Sequence, residues 1–322
     1  KGAVEALCAD ERIQVYLVGR DAVMKEKLQQ YTYDSTRLEL VNATEVIETA
    51  EPPVMAIRRK KDSSIVKGLQ LVKDGTCDAF VSAGSSGAIL VGGQVIAGRI
   101  KGVERAPLAP LIPTAKGVSL LIDCGANVDA RPSHLVQFAR MGSIYMEKVW
   151  GRENPRVGLV NLGVEESKGT SVTKDAYQKL KTASINFIGN VEAREVPVGA
   201  CEVIVCDGFV GNVILKLTEG LAWNILKLIK NKLMRNIKTK MAALMLKSDL
   251  SSLKQDFDYE EYGGAPILGV NGPVIKIHGS SGANAVKNAI IKGIPYSEEN
   301  VVEIIRQSML DLEEIIEKDE EE

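Results

Sequence analysis

Small-residue loops in this chain carry a set of side chains suited to holding an oxyanion. Ser85, Ser86 and Gly87 lie in SAGSSGA, Asn127 in DCGANVD, Asn190 in GNVEAR, Asn212 at the end of DGFVGN, and His278, Ser280 and Ser281 in HGSSGA. Lys168, in GVEESKGTS, is read as the only cation among these loops. Neutral donors and one ammonium favour steadying developing negative charge over abstracting a proton. Other chemistries find less support. Neither G-x-G-x-x-G nor G-x-x-x-x-G-K-[ST] occurs, and there is no G-x-S-x-G elbow. With His134 and His278 the only histidines, a Ser/His/Asp triad has few ways to form. Cys8, Cys77, Cys124, Cys201 and Cys206 lack metal-ligand spacing and fit a reduced, cytoplasmic protein.

Each loop follows a short apolar run and precedes a helical pattern. Strands are predicted over Cys77–Ala83, Ser119–Cys124, Arg156–Leu162, Ile185–Ile188, Glu202–Cys206 and Val274–Ile277. Pro132 and Ser133 suit a helix start, and another helix is predicted from Val172 to Lys181. Apolar strands alternating with helices specify an α/β fold with a mostly parallel sheet covered on both faces. In such a sheet the crevice beyond the strands' carboxyl ends takes the ligand, and the glycine-rich loops sit there. Asp123 and Asp207, at strand ends, are read as loop anchors in preference to metal ligands.

The 322 residues are 45% apolar, with 40 basic against 42 acidic side chains, which leaves no global field for nucleic acid. The average conceals one segment. From Asn212 to Leu246 apolar residues recur every three or four positions, predicting one long helix broken by Ser248 and Asp249 and followed by a second from Ser251 towards Gly264. Between Asn224 and Lys254 eight basic residues face one acid, a local charge of +7. Met241, Leu244, Met245 and Leu246 lie near the tip of this helical hairpin, a pattern that suits an anionic membrane surface. No run reaches the roughly 18 apolar residues of a spanning helix.

The ordered motifs SAG-x-x-GA, D-x-GAN-x-D, NFIGNVEAR, DGF-x-GN, YGGA and K-x-HGSS closely resemble the bacterial phosphate acyltransferase family, over Val15 to about Asn288. That family makes acyl phosphate from acyl carrier protein and inorganic phosphate for phospholipid synthesis. The resemblance implies an α/β/α sandwich like that of phosphotransacetylases and isocitrate and isopropylmalate dehydrogenases, a homodimer, and peripheral membrane association. It also implies a downstream glycerol-3-phosphate acyltransferase as a partner. The family's first strand with Gly-Gly-Asp would precede Lys1, so part of the first βα unit is expected to be missing from these residues; the chain also has Ser85-Ser86 where Asn-Thr is usual and Gly282 where Asp is common.

On this resemblance Lys168 and Asn212 are the catalytic residues. Lys168 serves the developing charge or incoming phosphate, and Asn212 serves the thioester carbonyl or phosphate while capping its helix. Ser85, Ser86, Gly87, Asn127, His278, Ser280 and Ser281 are expected to bind phosphate and close the crevice. No metal or cofactor is expected, because a thioester is already activated. Two lobes are expected, 1–115 with 265–322, and 116–264 with a hairpin over about 213–262. Arg58–Lys61 is a candidate patch for the acidic carrier protein. A short-chain phosphotransacetylase using coenzyme A would not need the basic apolar hairpin. A hydroxyacid dehydrogenase would need metal and nicotinamide sites, and a non-enzymatic membrane adaptor would leave the glycine-rich loops without a purpose.

Overall fold

The computed structural model describes residues 1–256 and 259–321. The chain begins with α1 (Gly2–Ala9), β1 (Val15–Gly19), α2 (Asp21–Leu28), β2 (Leu38–Asn42), α3 (Pro53–Arg59), α4 (Ser64–Lys73), β3 (Phe80–Ser82) and α5 (Ser86–Gly92), which continues as a π-helical turn over Gly93–Gly98. Next come β4 (Leu111–Thr114), β5 (Gly117–Ile122), α6 (Pro132–Lys148), β6 (Val157–Asn161), α7 (Ser171–Thr182), β7 (Phe187–Glu192) and β8 (Val203–Val205). The last third holds α8 (Gly208–Leu233), α9 (Ile237–Met245), α10 (Lys247–Asp256), β9 (Ala265–Ile267), β10 (Val274–Lys276), α11 (Ala283–Glu298) and α12 (Val301–Glu321).

Among the described residues three sheets form, ordered β1-β2, β3-β10-β9 and β4-β5-β8-β6-β7. Pairing is parallel except where β4 meets β5 and β9 meets β10, so the expected α/β class with a mostly parallel sheet is observed. Alternation along β5 builds both faces of the largest sheet. Leu120 and Ile122 join α6 and α7 in one core, while Leu121 joins Ile204 and Ile214 beneath α8. The first core also takes in Val301, Ile305 and Met309 of α12. Thus β4 and α12, expected with the first lobe, pack with the second. The boundary at residue 115 falls inside a hairpin. β1 and β3 flank a cavity of about 560 Å³ lined by Gln14–Val18 and Ala79–Ala83.

Other expectations require correction. The strand expected at Ile185–Ile188 begins at Phe187 and runs through Gly189 to Glu192, so GNVE is strand and not loop. Gly189 has a φ of +100° where the register between β6 and β7 shifts, a conformation that glycine adopts without strain. The helix expected to run unbroken to Leu246 stops at Leu233. Asn236 then caps α9, accepting from Thr239 N at 3.0 Å while Thr239 Oγ1 accepts from Asn236 N at 3.1 Å. A second break does fall next to Ser248 and Asp249, at Leu246 between α9 and α10, and those two residues lie in the first turn of α10. Of the second helix expected there, residues 257 and 258 lie outside the described residues. β1, β2 and α3 are present beyond the expected elements.

Candidate active site

The sheet order brings the expected residues to two groups of loops. β5, β8 and β6 are consecutive and parallel. Asn127 follows the carboxyl end of β5, Asn212 that of β8 and Lys168 that of β6. β3 and β10 are likewise parallel neighbours, and Ser85, Ser86 and Gly87 follow one while His278, Ser280 and Ser281 follow the other. Residues 106–109, which lead into β4, run between the two groups. There Ala109 N donates to Pro266 O and Leu268 N to Pro107 O, while Cys124 N donates back to Leu108 O.

Asp123 organises the first group. Its fully buried carboxylate accepts from the backbone N–H of Leu108 at 2.8 Å, Cys124 at 2.6 Å and Asn127 at 2.5 Å, and from Asn127 Nδ2 at 3.0 Å. Burial raises its pKa, and these donors act in the opposite direction. Asn127 Nδ2 also donates to Ala106 O at 3.2 Å. The Asn127 amide is therefore engaged in fixing its own loop.

Asp207, not Asn212, caps α8, its Oδ1 accepting from Val210 N at 2.8 Å. Asn212 lies inside the helix, where its side chain approaches Gly125 of the Asn127 loop and is exposed to solvent. The helix can come so close because it starts with glycine. A Cβ on Gly211 would lie 1.9 Å from Asp123 O, and one on Gly208 would lie 2.8 Å from both Asn127 O and Asp123 Oδ2. Gly208 N donates to Asn127 O at 2.8 Å across the same contact.

Lys168 is exposed on a loop held by asparagines. Asn190, in β7 and 7% exposed, donates to Glu165 O at 2.9 Å and accepts from Asn161 Nδ2 at 3.1 Å. Asn161 Nδ2 also reaches Lys168 O at 3.1 Å. Glu166 faces Lys181 and Tyr177 and so leaves the Lys168 ammonium. Asn190, expected among the ligand donors, thus positions the lysine's loop.

In the second group Ser85 is buried and caps α5, accepting from Ala88 N at 3.4 Å; Ser86 is exposed, and Gly87 packs on Pro53. Gly279 lies beside Ala83 O, bringing the His278 loop against the Ser85 loop. His278 Nδ1 accepts from Ser280 N at 3.2 Å and lies 2.7 Å from Ser280 Oγ. The buried Ser281 Oγ has no hydrogen-bond partner among the described residues. Lys168 is not the sole cation, because Lys276 is buried at the end of β10. Its signal was in the sequence: a lysine between Ile275 and Ile277 in a paired strand. Met241, Leu244, Met245 and Leu246 lie far along the chain from these loops and are exposed, Met245 by 85%. Among the described residues no group of three acidic, histidine or cysteine side chains is placed to hold a metal ion.

A parallel α/β body with polar loops gathered at strand carboxyl ends is the class defined here, and solved structures share it. The EutD phosphotransacetylase from Staphylococcus aureus superposes with a TM-score of 0.60 at 16% identity, covering 92% of this chain and 89% of that one. A phosphotransacetylase from Streptococcus pyogenes gives 0.62 at 15% identity, covering 92% and 90%. More particularly, residues 1–304 match the family model described as fatty acid synthesis protein, and the chain belongs to that family. A relative named phosphate acyltransferase from Alkaliphilus oremlandii (strain OhILAs) is 51% identical over 312 residues, 97% of this chain and 93% of that protein. Another of the same name, from Clostridioides difficile (strain 630), is 49% identical over 308 residues, 95% and 90% of the two chains.

Proposed function

We propose that the protein is a phosphate acyltransferase that moves a long-chain acyl group from acyl carrier protein to inorganic phosphate. The observation that carries this reading is the convergence of Lys168, Asn212 and the Asn127 loop on three adjacent strand ends, together with relatives of that name. A phosphate oxygen attacks the thioester carbonyl carbon, the carbonyl oxygen becomes negative, and the C–S bond breaks to give acyl phosphate and carrier thiolate. Phosphate is already an oxyanion near neutral pH. The chain's task is therefore orientation and charge stabilisation. Lys168 and the Asn212 amide meet the developing oxyanion or the phosphate. Ser85, Ser86, Gly87, Ser280 and Ser281 hold phosphate, and His278 orders their loop.

Incubation with acyl carrier thioester and phosphate, with hydroxylamine as trap, tests this. Acyl hydroxamate forms only when phosphate is present, and Lys168→Ala or Asn212→Ala lowers kcat by about 100-fold or more, as loss of one oxyanion donor does. Wild-type rates in both variants would remove these residues from the site.

The segment α8–α10 supports association with an anionic membrane. Lys227, Lys230, Lys232, Arg235, Lys238, Lys240 and Lys247 are all exposed alongside Leu244 and Met245. Replacing Leu244 and Leu246 together by Glu abolishes flotation with anionic vesicles; undiminished flotation would end the anchor reading. The nearer stripe of Leu217, Leu221, Ile225 and Leu228 is also exposed, which favours a second copy of the chain as its cover. Arg58 and Arg59 remain exposed for an acidic carrier, whereas Lys60 is paired with Glu51 at 2.5 Å. No described helix is long and apolar enough to cross a membrane.

A further inference from the structure

Lys276 is 9% exposed, yet none of the described carboxylates forms an ion pair with it. Its ammonium donates to the neighbouring Ile277 carbonyl. Burying a cation without a counter-charge is unfavourable, so a chain that does so has a use for the charge. Strand alternation sets the direction. Ile275 and Ile277 pack with Ala289 of α11, whereas Val274 packs with Ala88 and Ile89 of α5. Lys276 therefore lies on the α5 face, and α5 starts at the Ser85 loop. Lys276 is also in register with Ser82. The buried Ser281 Oγ, without a partner among the described residues, lies in the loop leaving this strand.

Lys216, one turn beyond Asn212 on α8 and paired with Glu219 at 2.9 Å, has a charge that acts on Lys276. Burial first, and then this like charge, lower the Lys276 pKa. An anion beside Lys276 would offset both effects.

We propose that Lys276 is a phosphate-binding residue of this site, its ammonium and Ser281 Oγ contacting the inorganic phosphate. This rests on the reading of the crevice as a phosphate acyltransferase site. The residue stays covalently unchanged, holding phosphate beside the thioester that Asn212 and Lys168 serve. Lys276→Met removes the charge and keeps the apolar stem.

Steady-state kinetics and thermal melting decide the matter. In Lys276→Met the KM for phosphate rises about tenfold to a hundredfold, as loss of one hydrogen bond to a charged group does. The KM for acyl carrier protein stays within about twofold of wild type on the same scale. Phosphate raises the melting midpoint of the wild type and not of the variant. An unchanged phosphate KM, or a parallel rise in both KM values, overturns the proposal. If Lys276→Met does not fold, wild-type protein is reductively methylated and Lys276 labelling is read by mass spectrometry. Phosphate protects Lys276 where sodium chloride at equal ionic strength does not, and equal labelling overturns the proposal. Protection by holo-carrier protein without free phosphate would assign the anion to the carrier's prosthetic group and overturn it also. Wild-type protein that forms no acyl hydroxamate would instead defeat the function itself, a result distinct from any of these.

Discussion

Asn190 illustrates how one buried amide governs a distant ammonium. Its two hydrogen bonds, to Glu165 O and from Asn161, connect β7 to the loop that carries Lys168. Asn190→Ala leaves the Glu165 carbonyl and the Asn161 amide short of partners, at a stability cost of about 1–3 kcal/mol. The larger effect is on rate, since small displacements of a positioned group cost on the order of tenfold to a hundredfold. The variant is expected to keep its KM for acyl carrier protein and lose kcat by that factor in the hydroxamate assay. A kcat within about twofold of wild type on that scale would show that the loop holds without Asn190. The residue types at the site were legible in the sequence because glycine-flanked Asn, Ser and Lys recur after apolar runs. Their division of labour was not. Whether an asparagine faces a ligand or its own backbone depends on hydrogen bonds spanning tens of residues, such as Asn190 to Glu165. Lys276 went unassigned because lysine reads as surface, although the apolar neighbours on both sides of it signalled a buried strand.

At the scale of elements, the start of α8 is the tightest joint. Gly211 packs where a Cβ would stand 1.9 Å from Asp123 O and 3.0 Å from Cys206 Sγ, so neither backbone can yield without moving the Asn127 loop. Gly211→Ala is expected to destabilise by about 1–3 kcal/mol through overpacking and to displace Asn212 with its helix, reducing kcat. Gly220 in the same helix provides the control. Nothing lies within 4 Å of its absent Cβ, so Gly220→Ala should stabilise by about 0.5–1 kcal/mol with kcat unchanged. Urea unfolding and the hydroxamate assay check both; equal stability of the two variants would contradict the packing argument. Helices such as α6 were legible from proline at the first turn followed by dense apolar spacing. The division of α8 from α9 was not, because Leu233 and Ile237 preserve helical spacing across the break. Only Asn236 with Thr239 marks it locally. β7 runs past its expected end because Gly189 bends the strand without ending it.

Over the whole molecule, near-neutral charge coexists with strong local separation. The exposed basic residues of α8–α10 belong to an appendage, while the polar loops gather at strand ends in the body. Parallel topology was legible from continuous apolar strands, but strand order was not, since no local signal says that β8 inserts between β5 and β6. The cavity between β1 and β3 carries a consequence for backbone protection. Phe80 N donates to Pro273 O and Ser82 O accepts from Ile277 N, so Val81 presents its polar groups on the other side, towards the cavity. Alternate residues of β1 do the same on its side away from β2. These amides lack a ladder partner where they face water, whereas in β5 Leu120 N donates to Glu202 O on one side and Leu121 N to Pro110 O on the other. In amide hydrogen exchange Val81 should exchange with loop-like speed inside an otherwise protected strand. Slow exchange at Val81, matching that of Leu121, would mean that the gap is closed by hydrogen bonds in solution.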